Sequence, residues 1–104
     1  MRELYEVRIT GEAGSDLEAI HKYISADSPQ NADGVVNRIL NAIDSLERLP
    51  HRYRVYRRGS HRGRTIRSLP VSPFVVYYEI RDDEGVVRVL TVRHGARRRP
   101  RGLR

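Results

Sequence analysis

The side chains able to do chemistry near neutral pH are few. The chain holds four histidines, His21, His51, His61 and His94, among 20 Lys+Arg, and it has no cysteine. Only histidine has an ordinary pKa close to neutrality. Arginine stays protonated, so it binds and neutralises anions but never serves as a base. His94 closes a run of alternating residues and is followed by Arg97, Arg98 and Arg99, with Arg62, Arg64 and Arg67 further upstream. Two readings fit that cluster. In one, His94 is a general base while Arg64, Arg67 and Arg97 hold a phosphate. In the plainer one, His94 bonds backbone at a strand end and the arginines contact a polyanion or an acidic partner. The spacing favours the plainer one: Arg64 is three residues before Arg67, so in a regular strand the two face opposite sides unless a bulge intervenes.

Other site chemistries are excluded or unsupported. Without cysteine there are no disulfides and no Cys-based zinc or iron–sulfur site, which suits a reducing cytoplasm. The histidines are too scattered to suggest zinc, and Asp82-Asp83-Glu84 lacks the spacing of a calcium loop. Gly59-Ser60-His61-Arg62-Gly63 lacks the glycine spacing of a phosphate loop, and no Gly-x-Ser-x-Gly elbow occurs. No metal and no cofactor is expected.

Charge divides the chain in two. Residues 1–50 carry five bases and nine acids, a balance of −4; residues 51–104 carry fifteen arginines and four acids, a balance of +11. Such an asymmetry points the second half at a polyanion or an acidic protein. The longest uncharged stretch, Ser68 to Tyr78, contains two prolines and is far too short for a membrane span, and the N-terminus has no apolar signal core. A cytoplasmic domain of residues 1–96 with a basic tail over 97–104 is the expected organisation.

The elements that must position these groups follow from periodicity. Leu4 to Ile9 alternates in twos and predicts a strand. Ala13, Leu17, Ile20 and Ile24 step by four and three, the stripe of an amphipathic helix. Ser28-Pro29 ends it and starts another, because serine suits the cap position and proline the first helical residue. Ala32, Val36, Ile39, Ile43 and Leu46 carry that second helix until Pro50 stops it. His51 to Gly63 predicts a loop or a frayed edge strand. Strands are expected over Arg64–Leu69, Phe74–Ile80 and Val86–Val92, with Asp82-Asp83-Glu84-Gly85 as the hairpin turn. Tyr77 and Tyr78 alternate faces, so one should join the core and the other the basic surface. The order β-α-α-β-β-β makes an α+β fold, a helical hairpin laid over a small, mainly antiparallel sheet.

Three stretches together resemble the RelE/ParE family, the toxins of bacterial type II toxin–antitoxin systems: Asp16 through Ile24, Ile39 through Pro50, and Phe74 through Arg97, which closes on His94-Gly95-Ala96-Arg97. The resemblance implies the family's fold, growth inhibition when free, and a cognate acidic antitoxin. It also implies one of two targets. ParE-like members poison DNA gyrase without being enzymes; RelE-like members are metal-independent endonucleases that cleave mRNA on the ribosome. Nucleases of this family resemble one another in having Arg directly after the first aromatic of the long strand, whereas here Val75 follows Phe74. The ending resembles the ParE side, so gyrase poisoning and a role in plasmid stabilization are the expectation. Target contacts would then come from Arg62, Arg64, Arg67, Arg97, Arg98 and Arg99. The mRNA endonuclease, with His94, Arg97, Arg67 and Arg64 as its catalytic set, is the alternative, and a non-toxic nucleic-acid-binding protein is the third possibility.

Overall fold

The computed structural model describes residues 3–58 and 64–95. Strand β1 (Glu6–Ile9) leads into helices α1 (Gly11–Asp27) and α2 (Pro29–Asp44); strands β2 (Arg54–Arg57), β3 (Ile66–Val71), β4 (Phe74–Arg81) and β5 (Val86–His94) follow. They form one five-stranded sheet in the order β1-β5-β4-β3-β2. β1 runs parallel to β5, and the other pairs are antiparallel. A parallel neighbour needs a long crossover, and here the helical hairpin begins it by carrying the chain from β1 at one edge of the sheet to β2 at the other. The antiparallel run from β2 to β5 then returns to pair with β1, and the hairpin lies across one face of the sheet.

The helical hairpin forms where the apolar stripes predict it. Thr10 caps α1, its hydroxyl oxygen accepting the Ala13 amide at 3.2 Å. The same hydroxyl donates to the Val89 carbonyl at 2.8 Å, so the cap is also tied to the sheet. Pro29 opens α2 directly after Ser28. Ala13, Leu17, Ile39 and Ile43 then bury against Leu69, Val76, Tyr78, Val87 and Val89 to make the main core.

Two differences from the expected order have physical causes. α2 ends at Asp44, and single 3-10 turns at Ser45–Glu47 and Pro50–Arg52 carry the chain onward. Between them Leu49 takes a left-handed backbone conformation with φ of 47°. Secondly, part of the basic stretch after His51 pairs with β3, giving a fifth strand at Arg54–Arg57. Its own pattern is weak, and it is a strand because β3 offers it an open edge.

At the other side of the sheet β1 stops at Ile9 while β5 runs on to His94. The freed edge of β5 is taken over by α1: a carboxylate oxygen of Asp16 accepts the Val92 amide at 3.0 Å and also the Thr91 hydroxyl. A sheet edge is thereby satisfied by a helical side chain rather than by a strand.

Candidate functional site

Among the described residues the sheet has one face covered by helices and one free of them, and the arginines divide between the two. Arg67 projects to the helix-covered side, opposite Tyr78 in the pairing of β3 with β4. Its guanidinium donates to the carbonyls of His51 (3.0 Å) and Tyr53 (2.8 Å). Beside it the Tyr78 hydroxyl donates to the Pro50 carbonyl at 2.6 Å. Burial pushes the Tyr78 phenol well above its ordinary pKa, so it remains a donor. Together Arg67 and Tyr78 fix the irregular segment that links the helices to β2.

The helix-free face reads differently. The register sets one row of residues straight across the sheet: Arg8, Arg88, Glu79, Ile66 and Arg57. Glu79 is buried to 2% exposure, and its Oε2 accepts from Arg64 at 3.2 Å and from Arg88 at 3.0 Å. A buried carboxylate is tolerable only when so paired. Arg81 shares this face by the alternation of β4, and Arg54 shares it with Arg57 because a bulge between Val55 and Arg57 turns residues three apart in β2 the same way, which gives six arginines with Arg8, Arg57, Arg64 and Arg88. Glu6 binds Arg8 at 2.9 Å and Glu84 binds Arg81 at 3.1 Å. The hydrogen bond from Arg8, and then its charge, hold the Glu6 carboxyl below its usual range. Arg54 and Arg57 have no ion-pair partner among the described residues.

Tyr77 lies on this face as the alternation requires, while Tyr78 belongs to the core. Yet Tyr77 is only 8% exposed. Tyr56 packs edge-on against it, ring centroids 4.8 Å apart, and Ile66, Val75 and Leu90 complete a small apolar patch beneath the arginines.

His94 is elsewhere. It pairs with Phe74 at the far end of β5, with the rings 5.5 Å apart. It lines a groove of about 550 Å³ between the helical hairpin and the sheet end, with Ile20, Tyr23, Val35, Phe74 and Val92. Phe74 is four residues along β4 from Tyr78, the partner of Arg67, a separation of roughly 13 Å along the strand. His94 and Arg67 are therefore apart on the helix-covered side, and Arg64 is on the opposite face. Arg62, Arg97, Arg98 and Arg99 lie outside the described residues. Of the remaining histidines, His21 pairs with Asp33 between the helices and His51 with Asp82 at the sheet end. Among the described residues no group of three or more His, Cys, Asp or Glu side chains is placed to hold a metal. No helix among them is long and apolar enough to cross a membrane.

The sequence reading passed over Glu79 and Asp16, although each carried a signal. Glu79 is the lone acid inside the apolar run from Phe74 to Ile80, where a charge must find a partner. Asp16 borders the helix stripe one residue before Leu17, close enough to the sheet edge for an acid there to accept a bond.

Residues 7–99 match the family described as the ParE toxin of the type II toxin–antitoxin system parDE. The chain belongs to that family. It is thus a toxin of the RelE/ParE type, and relatives of both names surround it. It is 37% identical over 89 residues to Toxin RelE2 of Caulobacter vibrioides, spanning 85% of this chain and 92% of that one. Among solved structures, the toxin resembles a chain of the chromosomal ParDE system of P. aeruginosa with a TM-score of 0.69. That likeness has 19% identity and covers 88% of this chain and 96% of the other. It also resembles a chain of the toxin–antitoxin complex RelBE2 from Mycobacterium tuberculosis, with a TM-score of 0.63, 26% identity and coverage of 93% and 98%. The archaeal RelE–RelB complex of Pyrococcus horikoshii OT3 gives a TM-score of 0.65 at 17% identity, covering 91% and 99%.

Proposed function

We propose that this toxin, when free of its antitoxin, inhibits DNA gyrase by binding it and stabilising the cleaved DNA complex, with no chemistry of its own. The observation that carries this reading is the position of the histidines. None of the three described ones lies on the helix-free face, where Arg8, Arg57, Arg64 and Arg88 gather. Among the described residues that face presents arginines with no imidazole beside them and its carboxylates engaged in ion pairs, which favours binding over cleavage. Target contacts are assigned to Arg64 of this face and to Arg62, Arg97, Arg98 and Arg99; Arg67 is assigned to holding the Pro50–Tyr53 segment. The partner that keeps the toxin silent is an acidic antitoxin, whose charge complements the second half of the chain. The related RelBE2 structure is a toxin–antitoxin complex, and the archaeal one is a RelE–RelB complex.

The deciding measurement is gyrase supercoiling of relaxed plasmid, titrated with the toxin freed from antitoxin. Loss of supercoiling with accumulation of linear DNA is expected. Undisturbed supercoiling by a folded sample overturns the reading. The RelE2 relative at 37% identity favours the mRNA endonuclease as the second reading. Its test is codon-specific cleavage in a translating extract that disappears with His94→Ala. Growth arrest on induction without the antitoxin separates both from a non-toxic nucleic-acid-binding protein.

A further inference from the structure

The row across the helix-free face works against folding. Arg8 and Arg88 are direct neighbours on adjacent strands, and like charges so placed repel. Arg57 closes the row at the far edge, with Arg54 two strand positions of β3 away, and neither has a carboxylate partner among the described residues. Three carboxylates, Glu6, Glu79 and Glu84, answer six arginines. Glu79 lies beneath Arg64 and Arg88 rather than between them and solvent, since it is 2% exposed while their side chains are 33% and 37% exposed. It therefore orders the two guanidiniums without screening them from a ligand above. Five strands spaced about 4.8 Å apart make the row roughly 19 Å long. An extended array of anions is the ligand that turns this repulsion into attraction.

We infer that this face binds the phosphate backbone of duplex nucleic acid, so that the toxin touches DNA directly as well as any protein target. Burial of the aromatic pair selects the duplex over the single strand. Single-strand binders offer exposed rings on which bases stack. Here Tyr77 is 8% exposed and Tyr56 is packed edge-on against it, which leaves guanidiniums as the presented groups. Contact is therefore to phosphate and not to bases, and it carries no sequence preference. The inference does not depend on the gyrase reading, because bare DNA suffices to test it.

The experiment is fluorescence anisotropy of the full-length toxin, free of antitoxin, with a labelled 24-base-pair duplex across a range of salt concentrations. Each phosphate contact contributes about −0.9 to the slope of log affinity against log salt. Arg54→Ala/Arg57→Ala removes two arginines that hold no ion pair among the described residues, and it is expected to flatten the slope by about 1.8. Lys22→Ala/Arg48→Ala removes the same charge from the helix side and its loop, and it should leave the slope unchanged. Arg88→Ala, checked for folding by circular dichroism, should flatten the slope by about 0.9. Equal flattening by the helix-side pair, or none by Arg54→Ala/Arg57→Ala, overturns the assignment of the face. Tighter binding of the single strand than of the duplex at equal salt overturns the choice of ligand.

Discussion

The two faces of the sheet are built from alternate residues of the same strands, yet they answer to different demands. On the helix-covered side Leu69, Val76, Tyr78, Val87 and Val89 are nearly or wholly without solvent contact, and even Arg67 is turned to holding backbone carbonyls. On the other side arginines stand over a shallow patch around Tyr77, and the one buried acid exists to hold two of them. Charge follows the same division. Residues 11–44, which span the hairpin, carry six acids and two bases, whereas residues 51–104 carry fifteen arginines and four acids. The toxin is acidic where it is thick and basic where its sheet is bare. Stability thus resides on one face and binding on the other.

The largest effect that would sharpen this contrast is truncation of the covered core. Ile39→Ala is expected to cost about 2–5 kcal/mol in urea unfolding, because the fully buried site leaves a cavity. Next comes Tyr78→Phe, which orphans the buried Pro50 carbonyl and should cost about 1–3 kcal/mol at neutral pH. That hydroxyl also gives the fold a signature in alkali. A phenol whose pKa is raised by folding contributes stability that is intact below its unfolded value, about 10, and is lost as pH climbs beyond it. Wild type should lose stability above about pH 10, and the part owed to this residue should vanish in Tyr78→Phe. A smaller loss, about 1 kcal/mol, is expected for Thr10→Ala, which removes the helix cap. Smallest is Arg54→Ala/Arg57→Ala, each substitution within about 0.5 kcal/mol of wild type in thermal melts. A large loss of stability there would break the contrast, since the bare face would then be part of what holds the fold together.

What the sequence announced and what it hid divide along the line between local and distant causes. The hairpin was legible because Ala13, Leu17, Ile39 and Ile43 repeat at helical spacing and Ser28-Pro29 punctuates them. The β4–β5 hairpin was legible from its aromatic and β-branched run and its acidic turn. The fifth strand was legible only as one of two readings of the basic stretch, loop or frayed edge strand, because Arg54–Arg57 owes its conformation to the neighbour it pairs with. The separation of His94 from Arg64 and Arg67 was not legible, because it depends on register and on which way each strand's side chains point. In the linear sequence these residues share a basic neighbourhood; in the sheet they occupy different ends and different faces. A list of arginines could not tell Arg67, bonded to two carbonyls, from Arg57, which has no ion-pair partner among the described residues.

The Asp16 bond to the Val92 amide links two events that a purely stranded edge would keep separate. Because that amide's partner is a helical side chain, α1 cannot lift from the sheet without exposing the amide to water. Its hydrogen-exchange rate is therefore a clock for undocking of the helix, read from a residue on the strand. A partner that pries the hairpin loose would speed exchange at Val92, while one that merely covers the arginines would leave it slow.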